Sequence, residues 1–471
     1  MIHRAAALLV VFGFLLITSH ARAQGRPPNV VLIYTDDQGY GDLGCFGNTR
    51  VKTPRIDRMA AEGVKFTDFY AAANVCTPSR AALLTGCYPQ RVGLGEIPPI
   101  PGGKPWQTRV LYPKAKYGLN PDETTIAEIL KSRGYATAIY GKWHLGDKKP
   151  FMPLDHGFDT FFGCVYTNDT PGVGFVRDYE FLEGKPDHTT FTDRFTDDSL
   201  QFIRDNKDKP FFVFLSHFMP HVPLAAAERH KGKSAGGLYG DVTEALDESV
   251  GKVLDLLAEL KLDENTLVIY TSDNGPWLIR GEHGGRATPL RGGKGGTYEG
   301  GQRVPTIMRW PGKIPAGAVC SELATQMDIL PTVALLAGGQ APTDRKIDGK
   351  DISPLMFAKP GAKSPHDSFF YYNGNRLAAV RSGKWKLKVP TNLGEDFSGY
   401  LQIENPETEI PRALFDLEND IGEQKSVLKD YPEVAERLQA MIEAAREDLG
   451  DSRRKMVGKN VRPIGEITNV N

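Results

Sequence analysis

The chain has 471 residues, of which 40% are hydrophobic, and its 57 Lys and Arg against 58 Asp and Glu give a formal net charge of −1. A chain of this length and composition can bury a large core and divide into two domains. Its balanced charge excludes a global basic surface, so we expect no nucleic-acid partner and no electrostatic attachment to anionic membranes.

Residues 1–23 are predicted to be a secretory signal peptide. A basic start at His3 and Arg4 precedes an apolar run over residues 5–17, and small residues at 21–23 offer a cleavage site. This run is too short for a comfortable membrane span, and no later stretch reaches about 20 apolar residues. We therefore expect export to the periplasm or the cell exterior, without an integral membrane segment in the mature chain. A retained N-terminal anchor is the alternative.

Residues 24–365 are predicted to form a large α/β domain. Four short apolar segments have the composition of strands that are buried on both faces of a parallel sheet. They are Val30–Tyr34, Ala136–Tyr140, Phe211–Ser216 and Thr266–Thr271. Helical patterns lie between them, as at Thr125–Arg133 and Asp241–Leu260. This alternation predicts a large central, mostly parallel sheet flanked by helices.

Residues 366–449 are predicted to form a smaller α+β domain with an antiparallel sheet. Its three strand patterns, separated by Asn- and Gly-containing turns, are Ser368–Tyr372, Leu377–Arg381 and Trp385–Val389. A helix is expected over residues 432–449, because Pro432 suits a first helical turn and apolar residues recur along one side. The polar segment 450–471 is predicted to be a loose tail.

Polar side chains follow each of the four strands predicted in the large sheet. In chain order they are Asp36 and Asp37, Lys142 and His144, His217 and His221, and Asp273 and Asn274. The carboxyl ends of parallel strands meet at one edge of a sheet, where binding sites form. Each residue alone has an ordinary interpretation as a turn, cap or solvated side chain. The oxygen-only set of acids and amide suits Ca²⁺ or Mg²⁺ rather than zinc.

The segment CTPSRAALLTG at residues 76–86 predicts a helix with Cys76 at its N-terminus. Pro78 suits the first turn and Gly86 ends the helix. A helix N-terminus attracts anions, and Arg80 adds a positive charge on the same face. The residues alone leave two interpretations open: a capped helix after a buried cysteine, or a nucleophilic thiolate of low pKa. With five cysteines and no Cys-x-x-Cys pair, one cysteine is left over.

These motifs resemble those of the type I sulfatases in the alkaline-phosphatase-like superfamily, most closely the branch of arylsulfatase A and N-acetylgalactosamine-6-sulfatase. The resemblance is carried by CTPSR at 76–80 with LLTG at 83–86, GKWHLG at 141–146, GFD at 157–159 and GGK at 292–294. It covers nearly the whole mature chain. It implies hydrolysis of sulfate monoesters by S–O cleavage through a sulfated formylglycine, on sulfated glycans or small molecules, with aryl sulfates as surrogate substrates.

The resemblance also implies individual roles. Cys76 would be oxidised to Cα-formylglycine by a separate maturation enzyme, which leaves Cys45, Cys87, Cys164 and Cys320 to pair or stay free. The implied ligands of one Ca²⁺, with Mg²⁺ as runner-up, are Asp36, Asp37, Cys76, Asp273 and Asn274. The implied catalytic residues are Cys76, Arg80, Lys142, His144 as a base, His221 as the acid for the leaving alcohol, and Lys294. The implied substrate contacts are Thr167, Lys142, His221 and Lys294.

Two other functions use the same fold. A phosphatase or phosphodiesterase of the superfamily generally has two metals and a Ser or Thr nucleophile, whereas this chain has one oxygen-rich set and a cysteine. A catalytically silent protein that binds sulfated glycans would have lost the cysteine, a metal ligand or Lys142. None of these positions is replaced.

Overall fold

The structure is a computed structural model that describes residues 26–99, 108–396, 405 and 407–467. The predicted signal peptide lies outside these residues. Within them, the large sheet has ten strands. In chain order they are β1 (Asn29–Thr35), β2 (Val64–Phe66), β3 (Ala136–Lys142), β4 (Thr160–Cys164), β5 (Gly174–Arg177), β6 (Glu180–Gly184), β7 (Phe211–Ser216), β8 (Thr266–Ser272), β9 (Thr306–Arg309) and β10 (Ala318–Cys320).

The strands of the large sheet lie in the order β10-β2-β9-β8-β1-β7-β3-β4-β5-β6. The five central strands, β8 to β4 in that order, are parallel. Antiparallel pairs flank this centre on both sides. Every residue of β1, β3, β7 and β8 is buried, as expected for strands covered on both faces. The predicted fold class is confirmed.

Helices pack against the sheets, and local sequence sets their ends. They are α1 (Pro54–Ala61), α2 (Cys76–Thr85), α3 (Ile126–Ser132), α4 (Phe191–Asp205), α5 (Gly237–Glu259), α6 (Glu299–Gln302), α7 (Ile329–Leu336), α8 (Ser353–Met356), α9 (Leu393–Asp396) and α10 (Pro432–Leu449). The Thr125 side chain accepts the backbone N–H of Glu128 and caps α3. Helix α2 ends at Gly86, whose φ of 68° favours glycine. In the described residues, no helix combines the length and apolar character needed to cross a membrane.

A second sheet forms the smaller C-terminal part. Its four antiparallel strands are β11 (Phe369–Asn373), β12 (Arg376–Ser382), β13 (Trp385–Lys388) and β14 (Ala413–Asp416). Leu438 and Ile442 of α10 share a buried cluster with Leu387 and Leu414 of this sheet. The domain boundary at residue 365 stays a prediction. Two further short strand pairs join Phe69–Tyr70 to Ala324–Thr325 and Thr391–Asn392 to Glu409–Ile410.

The predicted loose tail at 450–471 is wrong for the part that the structure describes, which ends at residue 467. Gly465–Glu466 pairs with Tyr117–Gly118 of the large domain, and Arg462 forms an ion pair with Glu123 at 2.6 Å. A further strand pair joins Gly450–Asp451 to Met456–Val457. Polar composition suggested a loose chain, but backbone pairing and charge partners hold this segment in place.

Candidate active site

Cys76 is the first residue of α2, a helix that is buried along its whole length. Its sulfur lies within 4.8 Å of carboxylate oxygens of Asp36 and Asp273. Burial raises the pKa of the Cys76 thiol to about 12, against the opposing charges of Lys142 and Lys294. A raised pKa argues against the interpretation of Cys76 as a low-pKa thiolate, because it keeps the thiol protonated at neutral pH. All five cysteines of the chain are free.

The carboxyl ends of the central strands lie side by side. Tyr34 of β1 pairs with Thr271 of β8 on one side and with Ser216 of β7 on the other, and Ser216 also pairs with Gly141 of β3. A Cβ at Gly141, whose φ is 115°, would lie 1.8 Å from the Ser216 carbonyl oxygen. This register brings the residues after all four strands to one edge of the sheet.

Asp36, Asp37, Asp273 and Asn274 form one buried cluster at this edge. The Asp37 backbone N–H donates to Asp273 Oδ1 at 3.1 Å, and the Asn274 side-chain amide donates to Asp37 Oδ1 at 2.8 Å. Among the described residues, Asp36 Oδ1 and Asn274 Oδ1 are buried without a hydrogen-bond partner. Buried oxygens normally have a partner, and oxygen ligands suit a hard divalent cation, so these residues fit such an ion.

Three buried cations balance the three carboxylates of the cluster. The pairs are Lys142 with Asp36, Lys294 with Asp37 at 2.7 Å, and Arg80 with Asp273 at 3.1 Å. Burial opposes ionisation of Asp36, yet the charge of Lys142 above all keeps its pKa below the ordinary value. Burial and repulsion from Asp36 raise the pKa of Asp273. A divalent cation would leave this balanced set with excess positive charge, which favours an anionic substrate.

Contacts of the ring nitrogens fix the tautomer of His144. Nε2 lies 3.0 Å from the Leu111 carbonyl oxygen, and because a carbonyl only accepts, we assign the proton to Nε2. Nδ1 is buried and has no hydrogen-bond partner within the described ranges. Burial and the charges of Lys142 and Arg80 hold the pKa of His144 well below its ordinary value. A neutral imidazole with a free Nδ1 can accept a proton.

His221 has the opposite tautomer. Its Nδ1 lies 2.5 Å from the Val222 carbonyl oxygen and 3.1 Å from Asn168 Oδ1, two acceptors that assign the proton to Nδ1. Its Nε2 lies 3.7 Å from Asp37 Oδ2. Burial and the charge of Lys294 lower the pKa of His221. The imidazole can therefore donate to a ligand only after Nε2 has taken up a proton.

A cavity of about 340 Å³ opens onto this cluster. It is lined by Cys76, Val110, Tyr112, His144, Thr167, Asp169, Thr170, Pro171, His221, Trp277, Arg280 and Lys294. Five of these were predicted from the sequence, while the predicted Arg80 and Lys142 are almost fully buried within the ion-pair cluster. The structure thus brings every predicted site residue to one place.

Three residues near the cavity were missed by sequence reasoning. Trp277 packs its ring against His221 at 5.5 Å between ring centres. Asn168 contacts Nδ1 of the same histidine. Ser216 accepts a hydrogen bond from Arg80 at 2.7 Å and donates one to the Lys142 carbonyl oxygen at 2.7 Å. Their only sequence signal is proximity to a predicted site residue or strand end.

Comparisons with known proteins cover nearly the whole described chain. Residues 28–339 match the family model described as Sulfatase, and residues 364–467 match the one described as C-terminal region of aryl-sulfatase. Arylsulfatase A of Bos taurus is 39% identical over 458 residues, which cover 89% of this chain and 87% of that protein. N-acetylgalactosamine-6-sulfatase of Canis lupus familiaris is 37% identical over 462 residues, covering 90% and 87%.

A solved structure from work on the metabolism of multiple glycosaminoglycans by Bacteroides thetaiotaomicron is also similar. It superposes with a TM-score of 0.76 at 28% identity, over 90% of this chain and 100% of that chain.

Proposed function

The chain belongs to the sulfatase family, and from that premise we propose that its cavity hydrolyses sulfate monoesters of carbohydrates with a formylglycine made from Cys76. The chain is a sulfuric ester hydrolase. One observation carries the assignment of the site. Cys76 begins a buried helix within 4.8 Å of Asp36 and Asp273, and lines the same cavity as His144 and His221.

The residues proposed to hold one divalent cation, Ca²⁺ in preference to Mg²⁺, are Asp36, Asp37, Asp273, Asn274 and residue 76. The support is the all-oxygen ligand set of the four polar residues, together with the two buried oxygens that have no hydrogen-bond partner among the described residues. Such a cation supplies positive charge to the sulfate group. The formylglycine, produced by a separate maturation enzyme, supplies the nucleophilic oxygen as a hydrated aldehyde.

Lys142 and Lys294 are proposed to bind and orient the sulfate group, and Arg80 to stabilise negative charge on the nucleophile at residue 76. Arg80 is held by Ser216 Oγ at 2.7 Å and by the Lys142 carbonyl oxygen at 3.0 Å. Because these positive groups are already in place before the substrate binds, they stabilise negative charge without reorganising in the transition state.

Two histidines are proposed to move protons. After its Nε2 has taken up a proton from solvent, His221 would give that proton to the oxygen of the departing alcohol, while Asn168 and the Val222 carbonyl hold its Nδ1–H. His144 would take up at Nδ1 a proton from the hydroxyl group of residue 76, because its Nε2–H is held by the Leu111 carbonyl. Thr167 lines the cavity and is proposed to contact the substrate.

Parallel assays on a sulfate and a phosphate ester of the same phenol test this function against the phosphatase alternative. We expect kcat/KM for the sulfate ester to be higher by ~100-fold or more, since one cation site and a formylglycine serve sulfate transfer. Cys76→Ala should abolish the activity, whereas Cys320→Ala, at a free cysteine outside the cavity, should not. A preference for the phosphate ester, or an active Cys76→Ala protein, would overturn the proposal.

Residues 1–23 are proposed to direct export of the chain to the periplasm or the cell exterior. N-terminal sequencing of the protein recovered outside the cytoplasm should find a chain that begins shortly after Ala23. Recovery of the uncleaved chain in a membrane fraction would instead support the retained anchor.

A further inference from the structure

Arg280 is an exposed arginine at the catalytic cavity. It lines this cavity together with Cys76 and Lys294. Among the described residues, no carboxylate oxygen lies within 4.0 Å of its guanidinium nitrogens. Unlike Arg280, the exposed Arg204 has such a partner in Glu259 at 2.9 Å. Arg280 thus places an exposed positive charge at the cavity, with no carboxylate partner in the part of the chain that the structure describes.

Trp277 holds the Arg280 side chain beside the reacting groups. The guanidinium carbon lies 4.0 Å from the centre of the indole ring. The same ring lies 4.5 Å from Lys294 Nζ and packs against His221 at 5.5 Å between ring centres. The guanidinium is therefore only one indole ring away from the lysine and the histidine that we assign to the sulfate and the leaving alcohol.

Stacking on an aromatic ring suits a guanidinium group, because the ring attracts the cation and leaves the planar edge of N–H donors available. That edge matches the two oxygens of a carboxylate or sulfate in a bidentate contact. The cavity also contains an acid, Asp169, but its Oδ1 accepts a hydrogen bond from Thr167, and within the described residues it makes no ion pair with Arg280.

We infer that Arg280 is a specificity-determining residue that binds a second anionic group of the substrate, a carboxylate or a second sulfate on the sugar unit next to the scissile bond. This inference rests on the proposed function. It identifies the substrate class as sulfated saccharides with at least one further negative charge near the ester.

Matched substrates test this role in Arg280→Gln. One pair is a sulfated disaccharide that contains a uronic acid and its carboxyl methyl ester; the other is a disulfated monosaccharide and its monosulfated form. We expect Arg280→Gln to lower kcat/KM by about 10- to 100-fold for the substrates with two charges, mainly through KM. It should change kcat/KM for phenyl sulfate and the singly charged partners by less than about twofold. The substrate pair in which Arg280→Gln lowers kcat/KM only for the doubly charged member identifies the second anionic group as a carboxylate or a sulfate.

Arg204→Gln is the matched control, since this exposed arginine lies in an ion pair with Glu259 and does not line the cavity. It should change none of these values. Arg280→Lys keeps the charge but loses the planar guanidinium group. Its kcat/KM for the substrates with two charges should lie between those of the wild type and Arg280→Gln. An equal effect of Arg280→Gln on singly and doubly charged substrates, or no effect, would overturn the role of Arg280 while leaving the proposed function intact. A wild-type protein with processed Cys76 that hydrolyses no sulfate ester would overturn both.

Discussion

At the scale of single residues, the two cavity histidines are held in opposite tautomers by the acceptors beside them. A backbone carbonyl fixes the proton on Nε2 of His144, whereas a carbonyl and Asn168 fix it on Nδ1 of His221. The nitrogen that remains available thus differs between the two rings. Separate roles in proton transfer follow from this difference.

The acid role of His221 predicts a dependence on the leaving group. A poor leaving alcohol needs its oxygen protonated, whereas an activated phenol leaves as an anion, so His221→Asn should affect the two unequally. We expect kcat/KM to fall by ~100-fold or more for an alkyl or sugar sulfate and by less than about tenfold for 4-nitrophenyl sulfate. Rates across a series of leaving groups measure this difference. A uniform loss across the series would contradict the assignment.

The oxygen cluster predicts a requirement for a divalent cation. Dialysis against a chelator should reduce kcat by ~100-fold or more and lower Tm, because an ion bound only by the folded state stabilises it. Ca²⁺ should restore both quantities at a lower concentration than Mg²⁺. Full activity of protein shown by elemental analysis to be metal-free would rule out the cation site.

The types of the site residues are predictable from the sequence, but their partners are not. Asp36, Asp273 and Asn274 stand directly after strands, and the rule that parallel strands end at one edge brings them together. Trp277 directly precedes a short 3-10 helix, Leu278–His283, which contains Arg280, and six residues are too few for a hydrophobic periodicity that would predict side-chain direction. Their proximity to Lys294 depends on tertiary packing that only the structure describes.

At the scale of elements, long apolar strands are predicted well and short ones are missed. Each of the four predicted strands of the parallel centre agrees with the structure within two residues at either end. The flanking strands β2, β9 and β10 have only three or four residues, too few for a periodic pattern. They form because neighbouring strands offer unpaired backbone groups.

His217, which follows β7, packs against α5 and makes stability depend on pH. Its Nε2 lies 3.1 Å from Ser249 Oγ of α5, and burial lowers its pKa to about 3. The folded state thus keeps this histidine neutral at pH values where the unfolded chain, with an ordinary pKa near 6.5, binds a proton. The resulting stabilisation is complete above the unfolded-state pKa near 6.5 and is lost as the pH falls towards the folded-state pKa of about 3.

His217→Asn should therefore flatten the pH dependence of stability. Between pH 7 and pH 5, the wild type should lose about 2 kcal/mol of unfolding free energy that the variant does not lose. Urea unfolding at the two pH values measures this difference. His283→Asn, at an exposed histidine, is the matched control and should behave as the wild type. Equal pH dependence in His217→Asn and the wild type would show that His217 does not titrate in this way.

At the scale of the whole molecule, a buried ion network joins the large domain to the C-terminal sheet. Lys386 of β13 lies 2.9 Å from Glu299 of α6 and 2.8 Å from Glu423. Glu299 also accepts hydrogen bonds from Tyr70 at 2.5 Å and Tyr371 at 2.6 Å. Since α6 closely follows Lys294 in the chain, this network connects the C-terminal sheet to the segment that carries a cavity lysine.

Removal of the positive charge of Lys386 should destabilise the protein strongly. Lys386→Met leaves two buried glutamates with one positive charge fewer, which costs roughly 3–5 kcal/mol in comparable buried pairs. Lys384→Met is the matched control, because Lys384 is 38% exposed and pairs with Asp416 at 2.8 Å; it should cost no more than about 1 kcal/mol. Urea unfolding compares the two. Similar losses of unfolding free energy in both variants would show that the buried network stabilises the protein no more than an exposed ion pair does.

The C-terminal segment is a region where amino-acid composition predicts a loose tail but the structure shows an anchored chain. Half of residues 450–467 have polar or charged side chains, and this composition alone predicts a solvated tail. Their anchors are distant in sequence: Arg462 pairs with Glu123, and Gly465–Glu466 pairs with Tyr117–Gly118. Contacts between positions so far apart leave no periodic signal in either segment.

The proposed chemistry requires that the active protein carries an oxidised side chain at position 76, beside Asp36, Asp37, Asp273 and Asn274. The mass of the proteolytic peptide that contains residue 76, measured on protein that hydrolyses a sulfate ester, reports this oxidation. We expect a peptide about 18 Da lighter than the unmodified cysteine peptide, the difference between thiol and aldehyde that makes this position a nucleophile. A fully active protein in which every such peptide has the mass of unmodified cysteine would contradict it.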